Sequence, residues 1–173
     1  SLNLRKITNA LGHETEIVNY DSSGRPLLIT DSNGMSTSMA YDALGRLISS
    51  TQNASARTSY AHDELGLLTK ITLPNGAFLN YTYDNARRLI GISNSNGKIV
   101  YTLDSAGNRI SETYKDNADA LKYQSNQVFD ELSRLKQSID ANNHATQYSY
   151  DVNDNITQVT NPNLNSTTFA FDA

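Results

Sequence analysis

The chain has 173 residues, a formal net charge of −4, no cysteine and no tryptophan, and 38% of its residues are hydrophobic. Nucleic-acid binding is disfavoured because no basic stripe is present to neutralise a phosphate backbone. The absence of cysteine excludes disulfides and thiolate metal sites, and no segment approaches the roughly 20 apolar residues that a membrane helix needs. The low apolar content indicates a thin sheet rather than a thick core.

A two-residue pattern, usually an aromatic residue followed by Asp, recurs along the whole sequence. The eight copies are Tyr20-Asp21, Tyr41-Asp42, His62-Asp63, Tyr83-Asp84, Leu103-Asp104, Phe129-Asp130, Tyr150-Asp151 and Phe171-Asp172. Their first residues are 21, 21, 21, 20, 26, 21 and 21 positions apart. Spacing this regular indicates a repeat protein with repeats starting near residues 20, 41, 62, 83, 103, 129, 150 and 171.

Each pair opens a predicted hairpin turn, of which Asp42-Ala43-Leu44-Gly45 is the clearest example. The Asp carboxylate can accept a backbone hydrogen bond from two residues on, and the Gly can take positive φ. Arg87, Ser133 and Asp154 replace this Gly, so those turns need positive φ at a costlier residue or another loop geometry. The predicted structural repeat motif comprises Tyr20, Asp21, Gly24, Tyr41, Asp42, Gly45, Arg46, Asp63, Gly66, Tyr83, Asp84, Asp104, Gly107, Phe129, Asp130, Tyr150 and Asp151.

A short strand, a second turn and a second strand complete each repeat. The first strands are rich in β-branched residues, and second turns such as Pro74-Asn75-Gly76 carry the Asn-Gly hairpin pattern. The second strands alternate, with Leu79, Tyr81 and Tyr83 on one face. One such hairpin cannot bury its aromatic face alone. The predicted fold class is therefore all-β, an array of about 15–16 antiparallel strands in sequential hairpin order that twists into a curled sheet.

Three repeats depart from the regular length. Thr8 to Asp21 spans 13 positions where equivalent segments span 12, which predicts a bulge or longer turn near Leu11-Gly12-His13. The repeat at 83–102 is one residue short. The repeat at 103–128 has 26 residues rather than 21, and we place its extra residues in a polar loop at 115–119 that protrudes from one edge. Only the run at 118–122 has any helical character.

The sequence starts in the middle of a repeat and stops at Phe171-Asp172-Ala173, where another turn opens. We therefore expect residues 1–173 to form a single array that is a fragment of a longer one. The terminal strands of a severed array leave unpaired backbone groups and an uncovered apolar face. We expect the isolated chain to associate, most simply as a dimer, and Phe169→Lys to weaken that association.

The run Tyr-Asp-x-x-Gly-Arg-Leu at 41–47, followed by Asn-Gly and Tyr-x-Tyr-Asp as at 75–84, resembles the YD repeat of the RHS family. That family includes bacterial RHS polymorphic toxins, the C components of ABC toxin complexes and the extracellular teneurins. The resemblance covers essentially the whole chain. It implies a spiralling β-sheet that wraps into a hollow shell, which in the bacterial members encloses a toxic C-terminal segment.

The same resemblance implies a non-enzymatic structural segment of a secreted or cell-surface bacterial protein. Its main partner would be the rest of its own full-length chain, namely further repeats and a C-terminal toxin. Bacterial members carry a region of aspartate-based self-cleavage downstream of their repeats, and that region has no counterpart in this sequence. No catalytic residue is therefore carried over.

Candidate chemical sites have simpler structural explanations. Asp151-Val152-Asn153-Asp154-Asn155 offers the first three oxygen positions of an EF-hand loop, but Ile156 stands where that loop needs Gly and Pro162 where it needs Glu. The three histidines lie in different repeats, which disfavours a metal cluster. Most carboxylates start turns, where capping explains them. We predict no catalytic residue, no metal and no cofactor.

The recurring tyrosines leave a second function open, a carbohydrate- or cell-surface-binding module. Aromatic platforms stack on sugars, and Tyr81 and Tyr148 are the test positions. Packing between strands explains the same recurrence of one or two aromatics in each repeat. Saturable sugar binding that is lost in Tyr81→Ala or Tyr148→Ala without unfolding would favour the sugar-binding function.

Overall fold

Sixteen β-strands and no helix make up residues 3–172, the part of the chain that the computed structural model describes. The strands are β1 Lys6–Thr8, β2 Glu14–Tyr20, β3 Pro26–Thr30, β4 Ser36–Tyr41, β5 Leu47–Gln52, β6 Ala56–His62, β7 Leu68–Thr72, β8 Phe78–Tyr83, β9 Leu89–Asn94, β10 Gly97–Leu103, β11 Arg109–Asp116, β12 Leu121–Phe129, β13 Leu135–Ile139, β14 Ala145–Tyr150, β15 Ile156–Thr160 and β16 Ser166–Thr168. Strand order is chain order. The predicted all-β hairpin array is confirmed.

The chain divides into two compact units, one ending at Asn80 and the other beginning at Tyr81, within β8. In the first unit, consecutive strands pair antiparallel, with Ile17 opposite Ile29 and Ser49 opposite Ser59. In the second unit, the same pairing places Gln137 opposite Gln147. Each of these strands pairs only with its chain neighbours, which is the arrangement that short turns allow.

Neither unit has a thick core. Between residues 3 and 172, Ile17 is the only buried hydrophobic side chain, at 7% exposure, and no large side chain is fully buried. Most strand residues are half-buried because antiparallel sheets can leave one face to solvent. The thin sheet expected from the low apolar content is confirmed.

Two kinds of turn connect the strands. Motif turns, which begin at the Asp of the repeated pair, occupy residues 21–25, 42–46, 63–67, 84–88, 104–108, 130–134 and 151–155. Return turns make the other connections, at residues 9–13, 31–35, 53–55, 73–77, 95–96, 116–120, 140–144 and 161–165. Because successive strands reverse direction, the two kinds of turn lie at opposite ends of the strands within each unit. The end with the motif turns is here called the motif edge, and the end with the return turns is called the return edge.

For the extra residue of the first repeat the sequence predicts a bulge or a longer turn near Leu11-Gly12-His13; the structure shows a bulge, but in the middle of β2. Asn9 to His13 is an ordinary return turn, in which the Asn9 N–H donates to the His13 carbonyl at 3.0 Å. The pairing of β2 with β3 instead shifts between Ile17 and Asn19, which leaves Val18 as a bulge. A bulge absorbs one residue at the loss of a single ladder position, and the turn stays unchanged.

The placement of the extra residues in the 26-residue repeat was also wrong. No polar loop protrudes at 115–119, and the run at 118–122 is not helical but a turn that leads into β12. β11 and β12 are 8 and 9 residues long and pair from Ser111 opposite Asn126 to Lys115 opposite Leu121. The turn between them has the usual size, with Asp119 at a φ of 64°. Residues added to both strands gain ladder hydrogen bonds, whereas a longer loop gains none.

The terminal strands of the described region are short. β1 pairs with β2 alone, and β16 pairs with β15 alone. β16 ends at Thr168, and Phe169 and Phe171, which follow it, are 46% and 53% exposed. Association of the chain through these strands stays a prediction.

Candidate functional site

Each motif turn is organised around its Asp carboxylate, and Asp42 shows the geometry most fully. Its Oδ1 accepts the backbone N–H groups of Leu44 and Arg46, each at 2.9 Å. Its Oδ2 accepts the Nε–H of Arg46 at 2.6 Å. The Gly45 N–H closes the turn by donating to the Asp42 carbonyl at 3.0 Å. Two amides and one guanidinium hold the carboxylate in a single orientation, and this fixes the turn.

Arginine recurs four residues after the motif Asp. The Nε–Oδ2 distances are 2.6 Å for Arg25, 2.6 Å for Arg46, 2.7 Å for Arg88 and 2.8 Å for Arg134. Asn108 and Asn155 place Nδ2 at 2.9 and 3.0 Å from the same carboxylate oxygen, whereas Leu67 has no donor there. The motif derived from the sequence included only Arg46 of these residues. Counting four positions from each Asp would have found the others.

These hydrogen bonds lower the pKa of the motif carboxyls. The affected residues are Asp21, Asp42, Asp84, Asp104, Asp130 and Asp151. The backbone N–H of Arg46 is the largest cause of the lowered pKa of Asp42, and desolvation partly opposes it. For Asp104 and Asp151 the largest cause is the side-chain amide of Asn108 or Asn155. Such carboxylates remain ionised acceptors at neutral pH and are poorly suited to donate a proton.

Three of the arginines also reach the backbone of the next motif turn. The Nη1 donors are Arg46 to the Asp63 carbonyl at 2.8 Å, Arg88 to the Asp104 carbonyl at 3.0 Å and Arg134 to the Asp151 carbonyl at 3.1 Å. Arg134 Nη1 also lies 2.8 Å from Asp154 Oδ1. One guanidinium therefore joins the carboxylate of its own turn to the main chain of the following repeat.

The motif tyrosines reach in the opposite direction, toward the preceding repeat. The hydroxyl donors are Tyr41 to the Pro26 carbonyl at 3.0 Å, Tyr150 to the Leu135 carbonyl at 2.8 Å and Tyr20 to the Leu4 carbonyl. The guanidinium of Arg25 stacks 4.8 Å from the centre of the Tyr41 ring, and Arg134 stacks 4.7 Å from that of Tyr150. Ring face and hydroxyl are both engaged within the sheet, which favours a packing role for these two residues.

His62 occupies the tyrosine position of its repeat without reproducing the hydroxyl contact. Its Nδ1 atom is buried and has no hydrogen-bond partner. Leu103 and Phe129 stand at the same position in their repeats and carry no hydroxyl. Packing is therefore kept at all of these positions, while the hydroxyl contact is confined to repeats that carry Tyr.

The motif turns that lack glycine keep the turn geometry. The positive-φ residues are Arg87 at 65°, Ser133 at 62° and Asp154 at 67°. Each donates its N–H to the carbonyl of the Asp three residues earlier, as the glycines do. Of the two alternatives that the sequence left open, positive φ at a costlier residue or another loop geometry, the structure shows the first.

The carboxylates and histidines of the described range form no metal-binding cluster. Among residues 3–172, no group of three or more His, Asp or Glu side chains could hold a metal ion. The former EF-hand candidate, Asp151, directs Oδ1 to the N–H groups of Asn153 and Asn155 and Oδ2 to the Asn155 amide, as in any motif turn. Within the same range, no helix is long and apolar enough to cross a membrane.

The RHS Repeat family model matches residues 20–58, 41–77, 62–99 and 129–166, more than half of the chain. No curated protein matches the sequence.

The fold is similar to that of solved Tc toxin structures. The Photorhabdus luminescens Tc holotoxin pore is 21% identical with a TM-score of 0.74, and the TcdB2-TccC3-Cdc42 crystal structure is 20% identical with a TM-score of 0.72. TcdB2-TccC3 without its hypervariable C-terminal region is 20% identical with a TM-score of 0.71. Each match covers 90% of this chain and 9% of the other chain. The likeness shows a shared fold, of which this chain spans a small part.

Proposed function

Because the chain belongs to the RHS repeat family, we propose that it is a non-enzymatic structural segment of a β-sheet shell that encloses a toxin or effector segment. The shell belongs to a longer, secreted bacterial protein. The principal partner of the segment is the rest of that protein, with further repeats beside it and a toxin inside. The likeness in fold to Tc toxin structures supports this proposal.

The observation that carries the proposal is the use of the motif side chains. The Asp carboxylates, the Arg guanidinium groups and the hydroxyls of Tyr41 and Tyr150 are engaged with neighbouring turns and strands. A thin sheet gains little from burial of side chains, so contacts between successive repeats have to supply cohesion. The motif side chains thus stabilise the stacking of successive repeats in the sheet and are not placed to act on a substrate.

The test uses the full-length protein that contains this chain. We expect the enclosed C-terminal segment to resist a protease that digests the same segment when it is expressed alone. Arg46→Gln and Arg134→Gln each remove a contact between repeats, so both should speed digestion of the enclosed segment. Arg57→Gln is the matched control, because Arg57 is an exposed residue of β6 outside the motif turns. Equal digestion rates for the enclosed and the isolated segment would overturn the proposal.

Sugar binding is the contrasting outcome. A glycan array and a peptidoglycan pull-down can be run with the 173-residue chain. Binding that saturates, and that Tyr81→Ala or Tyr148→Ala abolishes while circular dichroism stays unchanged, would assign the array to surface recognition. We expect no such binding.

A further inference from the structure

Three Asn-Gly pairs lie at the return edge. They are Asn33-Gly34, Asn75-Gly76 and Asn96-Gly97. Glycine has no side chain to shield its backbone nitrogen, so that nitrogen can approach the side-chain amide carbon of the asparagine before it. Each pair is therefore a place where the main chain can react with its own side chain, and the fold decides how readily it does so.

Two of the pairs lie in return turns with the same backbone geometry, at 31–35 and 73–77. The two glycines have φ values of 78° and 83°. In each turn the glycine N–H donates to the carbonyl of the first residue, Gly34 to Asp31 at 3.0 Å and Gly76 to Leu73 at 2.9 Å. Both asparagines are exposed. The difference that matters for the asparagines is the first residue of the turn, aspartate in one and leucine in the other.

That first residue decides which side chain takes the last N–H of the turn. In the turn at 31–35, Asp31 Oδ1 accepts the N–H groups of Asn33 and Met35, each at 2.9 Å. Leu73 has no acceptor to offer, and the N–H of Ala77 donates instead to Asn75 Oδ1 at 3.0 Å. The Asn75 carboxamide is thus held against the backbone that follows it, with its oxygen polarised by a main-chain donor.

We propose that Asn75 is a site of spontaneous deamidation, which the missing cap at Leu73 makes faster than the same reaction at Asn33. The Gly76 nitrogen loses its proton to solvent and attacks Cγ of Asn75, so that an N–Cγ bond forms and the Cγ–Nδ2 bond breaks. Nδ2 takes up a proton and leaves as ammonia. Water then opens the cyclic imide at either carbonyl, which gives aspartate or isoaspartate.

The Ala77 N–H accelerates the attack because negative charge develops on Asn75 Oδ1 as the nitrogen adds. A donor already aimed at that oxygen stabilises the charge without further reorganisation. At Asn33 the equivalent donor is bound to an aspartate carboxylate and does not serve the reaction. One ordinary hydrogen bond of this kind corresponds to about a fivefold difference in rate.

The third pair is expected to react slowest. Gly97 is buried and pairs with Asp116 of β11. Ring closure at Asn96 would have to draw Gly97 away from this packed position, which a close-packed environment resists.

Deamidation at Asn75 changes the turn between β7 and β8. The imide nitrogen carries no hydrogen, so the Gly76 donor to the Leu73 carbonyl is lost. The isoaspartate product also adds a methylene group to the main chain and a negative charge to the turn. We expect this to loosen the end of the hairpin, where Thr72 lies opposite Phe78.

The test incubates the folded 173-residue chain in mildly alkaline buffer at body temperature. Trypsin does not cut between Arg25 and Pro26, so the tryptic peptides 7–46, 71–87 and 89–98 carry one Asn-Gly pair each. Fragmentation mass spectrometry measures conversion of each amide to the acid. We expect Asn75 to react about fivefold faster than Asn33.

A reciprocal pair of substitutions isolates the cap. Leu73→Asn reproduces the turn at 161–165, which also has proline second and in which Asn161 Oδ1 accepts two N–H groups, each at 3.0 Å. This variant should slow Asn75 about fivefold. Asp31→Leu frees the Met35 N–H and should speed Asn33 by a similar factor. Circular dichroism identifies a variant that has lost its fold, and the other variant then decides.

The chain unfolded in urea is the control, and there Asn33 and Asn75 should react at about the same rate because no cap remains. Equal rates in the folded chain would overturn the proposal. So would an unchanged Asn75 rate in a folded Leu73→Asn chain. A faster Asn75 in urea as well would overturn it too, since the difference would then come from sequence neighbours such as Pro74 and not from the turn.

Discussion

The motif edge and the return edge differ in the contacts that join one repeat to the next. At the motif edge the same groups recur, an Asp carboxylate that caps the turn and, in four turns, an Arg that binds it. At the return edge five of the eight turns keep an Asp or Asn cap of the same kind, and the others vary, as at 95–96 and at 53–55, where Asn53 and Ala54 both have positive φ. Both edges repeat a turn cap, but the motif edge adds Arg side chains that reach the main chain of the following motif turn.

Two of the three changes in repeat length follow this division, the exception being the Val18 bulge in β2. The short repeat is accommodated by the tight turn at 95–96, and the long one by longer strands on either side of the return turn at 116–120. A length change at the motif edge would separate Arg and Tyr side chains from their partners in two neighbouring repeats. At the return edge it only lengthens or shortens one hairpin. The motif edge therefore preserves the stacking of repeats, while the return edge admits variation.

Acid should have the largest effect, because it acts on the whole motif edge at once. A carboxyl whose folded-state pKa is lowered stabilises the fold above its unfolded-state pKa of about 3.9 and loses this contribution as pH falls through the folded-state value. We expect the free energy of unfolding to be insensitive to the motif carboxyls between about pH 5 and pH 8 and to fall below about pH 4. Urea unfolding followed by circular dichroism at several pH values measures this.

The matched variant is Asp42→Asn. Its side-chain oxygen can still accept the Leu44 and Arg46 N–H groups, but it has no charge to titrate. Its acid-induced loss of stability should be smaller than that of the unchanged chain. A urea midpoint that stays constant down to about pH 3 would show that the lowered pKa values contribute nothing to stability.

At the return edge, we expect Gly97→Ala to cause a large loss of stability. Gly97 begins β10 at a φ of 151°, and a Cβ atom there would collide with the carbonyl oxygen of Lys115 on β11. We expect Gly97→Ala to lower the free energy of unfolding by about 3 kcal/mol, through backbone strain and the clash together. Gly34→Ala is the control, because Gly34 has a φ of 78° with open space around it and should lose only about 1 kcal/mol. Equal losses in urea unfolding would contradict the role given to Lys115.

The smallest effect concerns the tyrosine hydroxyl. Tyr41→Phe removes the donor to the Pro26 carbonyl and should lower the free energy of unfolding by about 1 kcal/mol. His62→Tyr should raise it by a similar amount, about 1 kcal/mol, because it replaces a buried nitrogen without a partner by a hydroxyl suited to that position. Paired thermal and urea unfolding of both variants measures the difference. A destabilised His62→Tyr chain would mean that histidine fits its site better than tyrosine does.

The sequence by itself determined the repeat, the all-β class and the positions of the motif turns. These properties depend on contacts within a few residues, such as the Asp42 carboxylate with the amides that follow it, so spacing and residue type are enough to predict them. The positive φ of Arg87, Ser133 and Asp154 was one of two alternatives that the sequence left open, and it is the structure that decides between them.

Only the tertiary structure decided where length changes went and which side chains join the repeats. Val18 forms a bulge in β2, and β11 and β12 are longer than other strands. Whether an extra residue enters a turn, a bulge or a longer strand depends on the hydrogen bonds that each choice makes with the paired strand, and those partners are not neighbours in sequence. The contacts of Arg46 with Asp63 and of Tyr41 with Pro26 likewise span 17 and 15 positions. A periodic sequence shows that such residues recur, but the register that brings them together is fixed only when the strands pair.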